Sequence, residues 1–169
     1  MDAPQLVRSF SSRQLSLVSG HGRVVVFAVL GGGYVGRSLQ VHVPTAARLL
    51  DQLPAHIDTV VFIDEPVPDA ALLSLIDDMI AEREALGVDV VANFVPAVEA
   101  VKRVEDDRVL EGIDRSKLVS VRPPEVVRRR SIEAAMRSLD DAMWANPSAV
   151  VSTRNGSLSL FSGSHAVHT

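Results

Sequence analysis

The chain has no cysteine and only one tryptophan and one tyrosine among its 169 residues. Without cysteine there is neither a disulfide framework nor a thiolate metal site. The soft ligands that remain are His21, His42, His56, His165 and His168, scattered with no H-E-x-x-H-like pair on a helix face. The first twenty residues contain no apolar run of signal-peptide length, and no later run approaches the roughly 18 residues that span a bilayer. These absences predict a cytoplasmic protein with no membrane partner. A basic excess is lacking too: 17 Lys and Arg stand against 21 Asp and Glu, a formal charge of -4, which argues against a nucleic-acid partner.

What is present is apolar material. Hydrophobic residues make up 47% of the chain, enough for one core, and the length predicts a single domain over 1–169. Val24 to Leu30 is a continuous β-branched run, the pattern of a strand buried on both faces; Thr59 to Ile63 is a second buried strand, and Val88 to Phe94 the third core strand. Ser38 to Val43 alternates polar and apolar, and with Val24 to Leu30 it predicts a hairpin turning on the glycines between them. Pro44 opens one helix up to Pro54. Asp69 caps a second, with Leu72, Leu73, Ile76, Met79 and Ile80 inward, and Gly87 ends it. This alternation predicts an α/β fold, a Rossmann-like doubly wound and mostly parallel sheet.

From Ala97 to Pro124 the apolar content thins, predicting an extended arm or hairpin over about 98–122. A helix is expected after Pro124, with Val126, Val127, Ile132, Ala135, Met136 and Leu139 inward. Ser148 to Thr153 and Ser157 to Phe161 flank Asn155-Gly156, which predicts a tight hairpin. Trp144 reads as a core or interface anchor.

Gly31, Gly33 and Gly36 satisfy G-x-G-x-x-G after a buried strand, the pattern of a dinucleotide-binding module. That motif needs a helix at its third glycine, whereas the residues after Gly36 alternate like a strand. A turn requiring positive φ accounts for the glycines more simply.

Three segments come in order: Val95 to Val104 (VPAVEAVKRV), Asp114 to Leu118 (DRSKL), and Arg122-Pro123-Pro124. Asp140-Asp141-Ala142 then precedes Ala149-Val150-Val151. Over about residues 59–169 this ordered set resembles the 2-C-methyl-D-erythritol 4-phosphate cytidylyltransferase family of the non-mevalonate isoprenoid route, whose corresponding segments read V-x-D-T-x-K-R-V, D-R-S-x-L, Q-T-P-Q and T-D-D-A. The resemblance implies a nucleotide-diphospho-sugar transferase-like fold and a homodimer that exchanges the arm. In that family a Gly-rich loop cradles CTP with Mg2+, and the substrate phosphate displaces pyrophosphate. Carried over by position, Asp64 matches the metal-binding aspartate, while Lys102, Arg103, Arg115 and Arg122 are the candidate phosphate-binding cations.

Other family positions are changed. Glu99-Ala100 replaces the arm's Asp-Thr pair, Leu139 the Thr before the paired aspartates, and Val167 lies where the final lysine belongs. The span between Gly36 and Thr59 is too short for the family's nucleotide-binding portion. The expectation is a catalytically degenerate, dimeric binding or regulatory protein with no cofactor and a small phosphorylated ligand. The alternatives are an active nucleotidyltransferase using Arg37, Arg115 and Arg122, and the dinucleotide module. Residues 100–137 hold ten of the 17 cations and seven of the 21 acids, about +3, leaving about -7 elsewhere. Within that stretch, Arg128-Arg129-Arg130 reads as either an anion site or the solvated outer face of a helix.

Overall fold

In the computed structural model, Val24–Val29 (β2), Thr59–Ile63 (β6) and Val90–Pro96 (β7) are strands, as the sequence predicts. The structure describes residues 15–29, 34–35, 38–96, 101–106, 108–113, 119–139 and 144–161. A six-stranded sheet holds these three together with Leu15–His21 (β1), Val119–Arg128 (β10) and Leu158–Leu160 (β12), in the order β1-β2-β6-β10-β7-β12. β2 pairs with β6 and β7 with β12 in parallel, while β1 and β10 run against their neighbours. Four strands therefore share one direction, and the edge strand β1 and the inserted β10 oppose it.

Successive residues of the central strands enter different cores, as a two-faced strand requires. Phe27, Val60, Phe62 and Val127 face one helical layer. It consists of Val43–Gln52 (α1), Arg129–Arg137 (α3) and Pro147–Thr153 (α4). Val26, Val61, Ile63 and Val126 face Ala70–Leu86 (α2) through Ile76 and Met79. Asp69 caps α2 by accepting from the Leu72 N–H at 2.8 Å. Gly87 ends it at φ 65°, a conformation that favours glycine. Leu73, expected inward, is 41% exposed.

Several expectations are corrected. β2 finds its antiparallel partner in β1 through a turn at Gly22, not in residues 38–43. Past the glycines, Tyr34–Val35 (β3) pairs with Ser38–Leu39 (β4), and Val41–His42 (β5) pairs with Trp144–Ala145 (β11). Among the described residues no helix begins before Val43, so the dinucleotide motif lacks the helix it needs. Val126 and Val127 belong to β10 rather than a helix, which starts only at Arg129.

Ser148 to Thr153 is helical because Pro147 stands at its start and Asn146 caps it, accepting from the Ala149 N–H at 3.0 Å. Asn155 (φ 64°) and Gly156 then turn the chain into β12, which lies parallel to β7, so no hairpin forms there. A Cβ on Gly156 would overlap Val151 Cγ1 and the Val151 carbonyl oxygen, so the close approach itself demands glycine. Trp144 is 40% exposed and meets His42 edge-on, with ring centroids 5.3 Å apart, so it is not a core anchor.

Val101–Glu105 (β8) and Arg108–Ile113 (β9) form a two-stranded ladder separate from the main sheet. Val119 to Arg122, the last part of the expected arm, instead pairs with β7.

The three consecutive arginines diverge. Arg128 donates to the Gly87 carbonyl at the end of α2 (3.3 Å), and Arg130 is exposed. Arg129 is spent on the fold: it donates to the carbonyls of Leu50, Leu53, Pro54 and Ile57 at 2.5 to 3.2 Å and to Glu133 at 2.7 Å. One guanidinium thereby serves the carbonyls at the end of α1 and in the turn after it, of which Leu50 and Pro54 also accept a backbone N–H. Of the two readings of this run, the solvated face fits Arg130 alone.

Candidate functional site

The carboxyl ends of β2, β6 and β7 and the amino end of the opposed β10 meet at one sheet edge, where open α/β sheets bind ligands. Asp64 and Glu65 follow β6 directly and are exposed. Neither makes a hydrogen bond or ion pair with any described residue. Arg122 lies on the neighbouring β10, half-buried and in register with Asn93 of β7. The fold thus brings Asp64 and Arg122 to the same edge. Lys102 and Arg103 lie on β8, opposite Gly112 and Glu111 in the separate ladder. Arg115, Arg37, Asp140, Asp141 and Val167 fall outside the described residues, as do Gly31, Gly33 and Gly36.

Beneath this edge lies a residue that sequence reasoning missed. Glu125 is fully buried in β10, between Phe62 of β6 and Ala92 of β7. Register slips between Arg122 and Glu125, so Pro123 and Pro124, which cannot donate to a ladder, stand outside the regular pairing. The Glu125 carboxyl accepts from the Ser148 N–H at 3.0 Å, from the Ser148 hydroxyl, and from Asn146 Nδ2 at 3.1 Å. Asn146 Nδ2 also donates to the Leu39 carbonyl at 2.8 Å. One carboxyl therefore ties the central strand to the start of α4 and, through Asn146, to β4. Burial pushes it from 4.5 up to about 7, against the opposing pull of the hydrogen bonds from Ser148 and Asn146. Its only sequence signal is an acid directly before the apolar pair Val126-Val127, which looks the same as a solvated loop acid.

The described residues of this edge do not by themselves make up a magnesium–triphosphate site. Magnesium bound with phosphates needs one or two carboxylates, and the triphosphate needs cations beside them. Asp64 and Glu65 supply the acids, yet no described basic side chain reaches either. Among the described residues no three His, Asp or Glu side chains converge as metal ligands. Glu125 is sealed from solvent and engaged with three donors, so it adds nothing to such a site.

No protein-family profile matches the sequence, and no curated protein does. Solved structures do. The 2-C-methyl-D-erythritol 4-phosphate cytidylyltransferase of Thermus thermophilus superposes with a TM-score of 0.52 at 14% identity, over 75% of this chain and 61% of that one. The enzyme of that name from Francisella tularensis gives 0.54 at 14% identity over 72% and 59%. The 4-diphosphocytidyl-2C-methyl-D-erythritol synthase of Anaerococcus prevotii gives 0.55 at 14% identity over 80% and 60%. The chain spans about three fifths of the length of these enzymes. At such identity the likeness is one of fold, and the resemblance read from the ordered motifs is borne out at that level: this chain has the fold of the methylerythritol phosphate cytidylyltransferases.

Proposed function

We propose that the chain is a catalytically degenerate cytidylyltransferase-like protein, a cytoplasmic homodimer that binds a small phosphorylated ligand or regulates a partner rather than turning over nucleotide. The observation that carries this reading is the acidic pair Asp64-Glu65 at the carboxyl edge, which no described cation reaches. Nucleotidyl transfer works by aiming positive groups at the charge that develops on phosphoryl oxygens, and each such contact is worth about 3 kcal/mol of barrier. Several missing together leave no useful rate.

Calorimetric titration with CTP, magnesium and methylerythritol phosphate, run beside a pyrophosphate-release assay, tests the proposal. Heat without pyrophosphate is the expected result, and sustained release overturns it. Light scattering tests the dimer, and a monomer at micromolar concentration removes that part. An active nucleotidyltransferase built on Arg37, Arg115 and Arg122 is the second reading, favoured by the position of Arg122 opposite Asn93 at the ligand edge. On that reading Arg115→Ala abolishes the pyrophosphate signal.

A further inference from the structure

At the opposite, amino-terminal edge of the sheet, the ends of α1 and α2 and the start of α3 enclose a cleft of about 680 Å³. Asp58, Arg83, Gly87, Arg128, Arg130 and Glu133 are among the residues lining it. Arg83 is 6% exposed, a rare state for an arginine. It donates to Thr59 Oγ1 at 3.0 Å and to the Val88 carbonyl at 3.4 Å, while its buried Nε–H has no acceptor among the described residues. Burial first, and then the charge of Arg128, lowers its pKa, which places a second guanidinium close by.

The acids around the cleft are already engaged. Asp58 pairs with Arg23 at 3.1 Å and Glu133 with Arg129 at 2.7 Å. Asp89 accepts from Ser131 Oγ at 2.7 Å and from Ser157, and lies 3.6 Å from Arg128. Glu84, also at the cleft, is exposed. Arg130 makes no hydrogen bond or ion pair with any described residue. The positive end of α3 opens here as well. Its N-cap Arg128 makes no side-chain capping bond, and its first turn carries no acid. Arg129, fully occupied by the end of α1, contributes shape rather than donors.

We propose that this cleft binds a tetrahedral oxyanion: free phosphate, or the phosphoryl group of a small metabolite. Three features converge on that chemistry. Arg130 offers a guanidinium fork suited to phosphate oxygens, joined by the donors of Arg128 that Gly87 and Asp89 leave over; the start of the nine-residue α3, whose first N–H goes to the Asp58 carbonyl, directs its next N–H groups and its dipole toward the space; and Arg83 holds a buried positive charge behind them. The site lies across the sheet from Asp64 and Arg122 and does not depend on the function proposed for that edge.

The test is an amide NMR titration of the full chain with inorganic phosphate and, separately, with glycerol phosphate, each against chloride at equal ionic strength. Saturable shifts at Arg130 to Ile132 are expected, with affinity falling at least about tenfold in Arg130→Ala. Arg130 is exposed, so the variant should melt with the parent, and its unchanged spectrum elsewhere certifies the fold. Tighter binding of glycerol phosphate assigns the site to a phosphorylated metabolite, and equal binding assigns it to phosphate itself. Absence of saturation up to about 20 mM, or shifts that persist unchanged in both Arg130→Ala and Arg128→Ala, overturns the proposal. Amides of Asn93 and Arg122 report on the other edge in the same spectra, so failure at one site is distinguishable from failure at the other.

Discussion

Replacing Glu125 with Gln should remove a large pH dependence of stability. The carboxyl has no exposed surface and titrates near 7 in the folded chain, against 4.5 ordinarily. Because the folded value is raised, the folded state holds its proton more tightly. The stabilisation is therefore complete below about 4.5 and is lost as pH climbs through 7. At about 1.36 kcal/mol for each pKa unit the loss amounts to ~3 kcal/mol. With a urea slope of about 2 kcal/mol per molar, that is a midpoint lower by ~1.5 M at about pH 8 than at about pH 4.5.

The amide cannot imitate the protonated acid. The Ser148 hydroxyl can rotate to accept a proton from Glu125, but the Ser148 N–H and Asn146 Nδ2 are fixed donors. Asn146 cannot turn over, since its Oδ1 accepts from the Ala149 N–H at 3.0 Å and its Nδ2 serves the Leu39 carbonyl. In either orientation the NH2 group introduced by Glu125→Gln meets a donor, which costs about 1–3 kcal/mol. Glu125→Gln should thus be less stable than the parent near the acidic end of that range, approach or pass it at the basic end, and show the smaller slope between. Comparing the two proteins subtracts whatever pH dependence they share. Parallel stability curves would refute the reasoning.

Two further outcomes follow from capping. Arg129→Ala strips four hydrogen bonds between α3 and the end of α1 with its following turn, and one within α3, and should lower the unfolding free energy by about 3 kcal/mol in urea titration; a loss below about 1 would mean that water replaces the guanidinium without penalty. Asp69→Ala removes the N-cap of α2 and should cost about 1 kcal/mol, with amide exchange accelerated first at Leu72.

The parts of the fold legible in sequence were those where a local pattern and the burial it implies coincide. β2, β6 and β7 are valine-rich runs in the middle of a two-faced sheet, and Asp69 and Gly87 bracket α2. The failures share a cause. β10 is a central strand interrupted by two prolines and carrying an acid, a composition that ordinarily marks a loop, and it is tolerated because the prolines sit where the register slips and the acid has three donors. Ser148 to Thr153 carries β-branched residues and precedes a turn signal, but Asn146-Pro147 before it caps and starts a helix, and the cap decides the local conformation. At the site, the strand-end position of Asp64 was legible from the run before it. Glu125 was not, because burial of a single charged residue depends on partners 21 and 23 positions away, Asn146 and Ser148, and no local pattern encodes them.

The two edges of the sheet divide the charge in a way that bears on function. Basic residues at the amino edge are largely spent on helix ends: Arg129 on α1, Arg128 and Arg83 on the segment that closes α2. Arg129, with every donor engaged, cannot also move to meet a ligand, and Arg128 offers only the donors that Gly87 and Asp89 leave over, so the count of arginines in this stretch overstates what is available for chemistry. Arg130 is the member of the run left over. At the carboxyl edge the exposed groups at the end of β6 are acids instead. At that edge a polyphosphate meets the exposed acids Asp64 and Glu65, with Arg122 half-buried on the neighbouring strand, whereas one approaching the amino edge meets the start of α3 backed by Arg83. The contrast makes Arg129→Ala and Arg130→Ala an informative pair: the first should cost stability, while the second should leave stability intact and weaken anion binding.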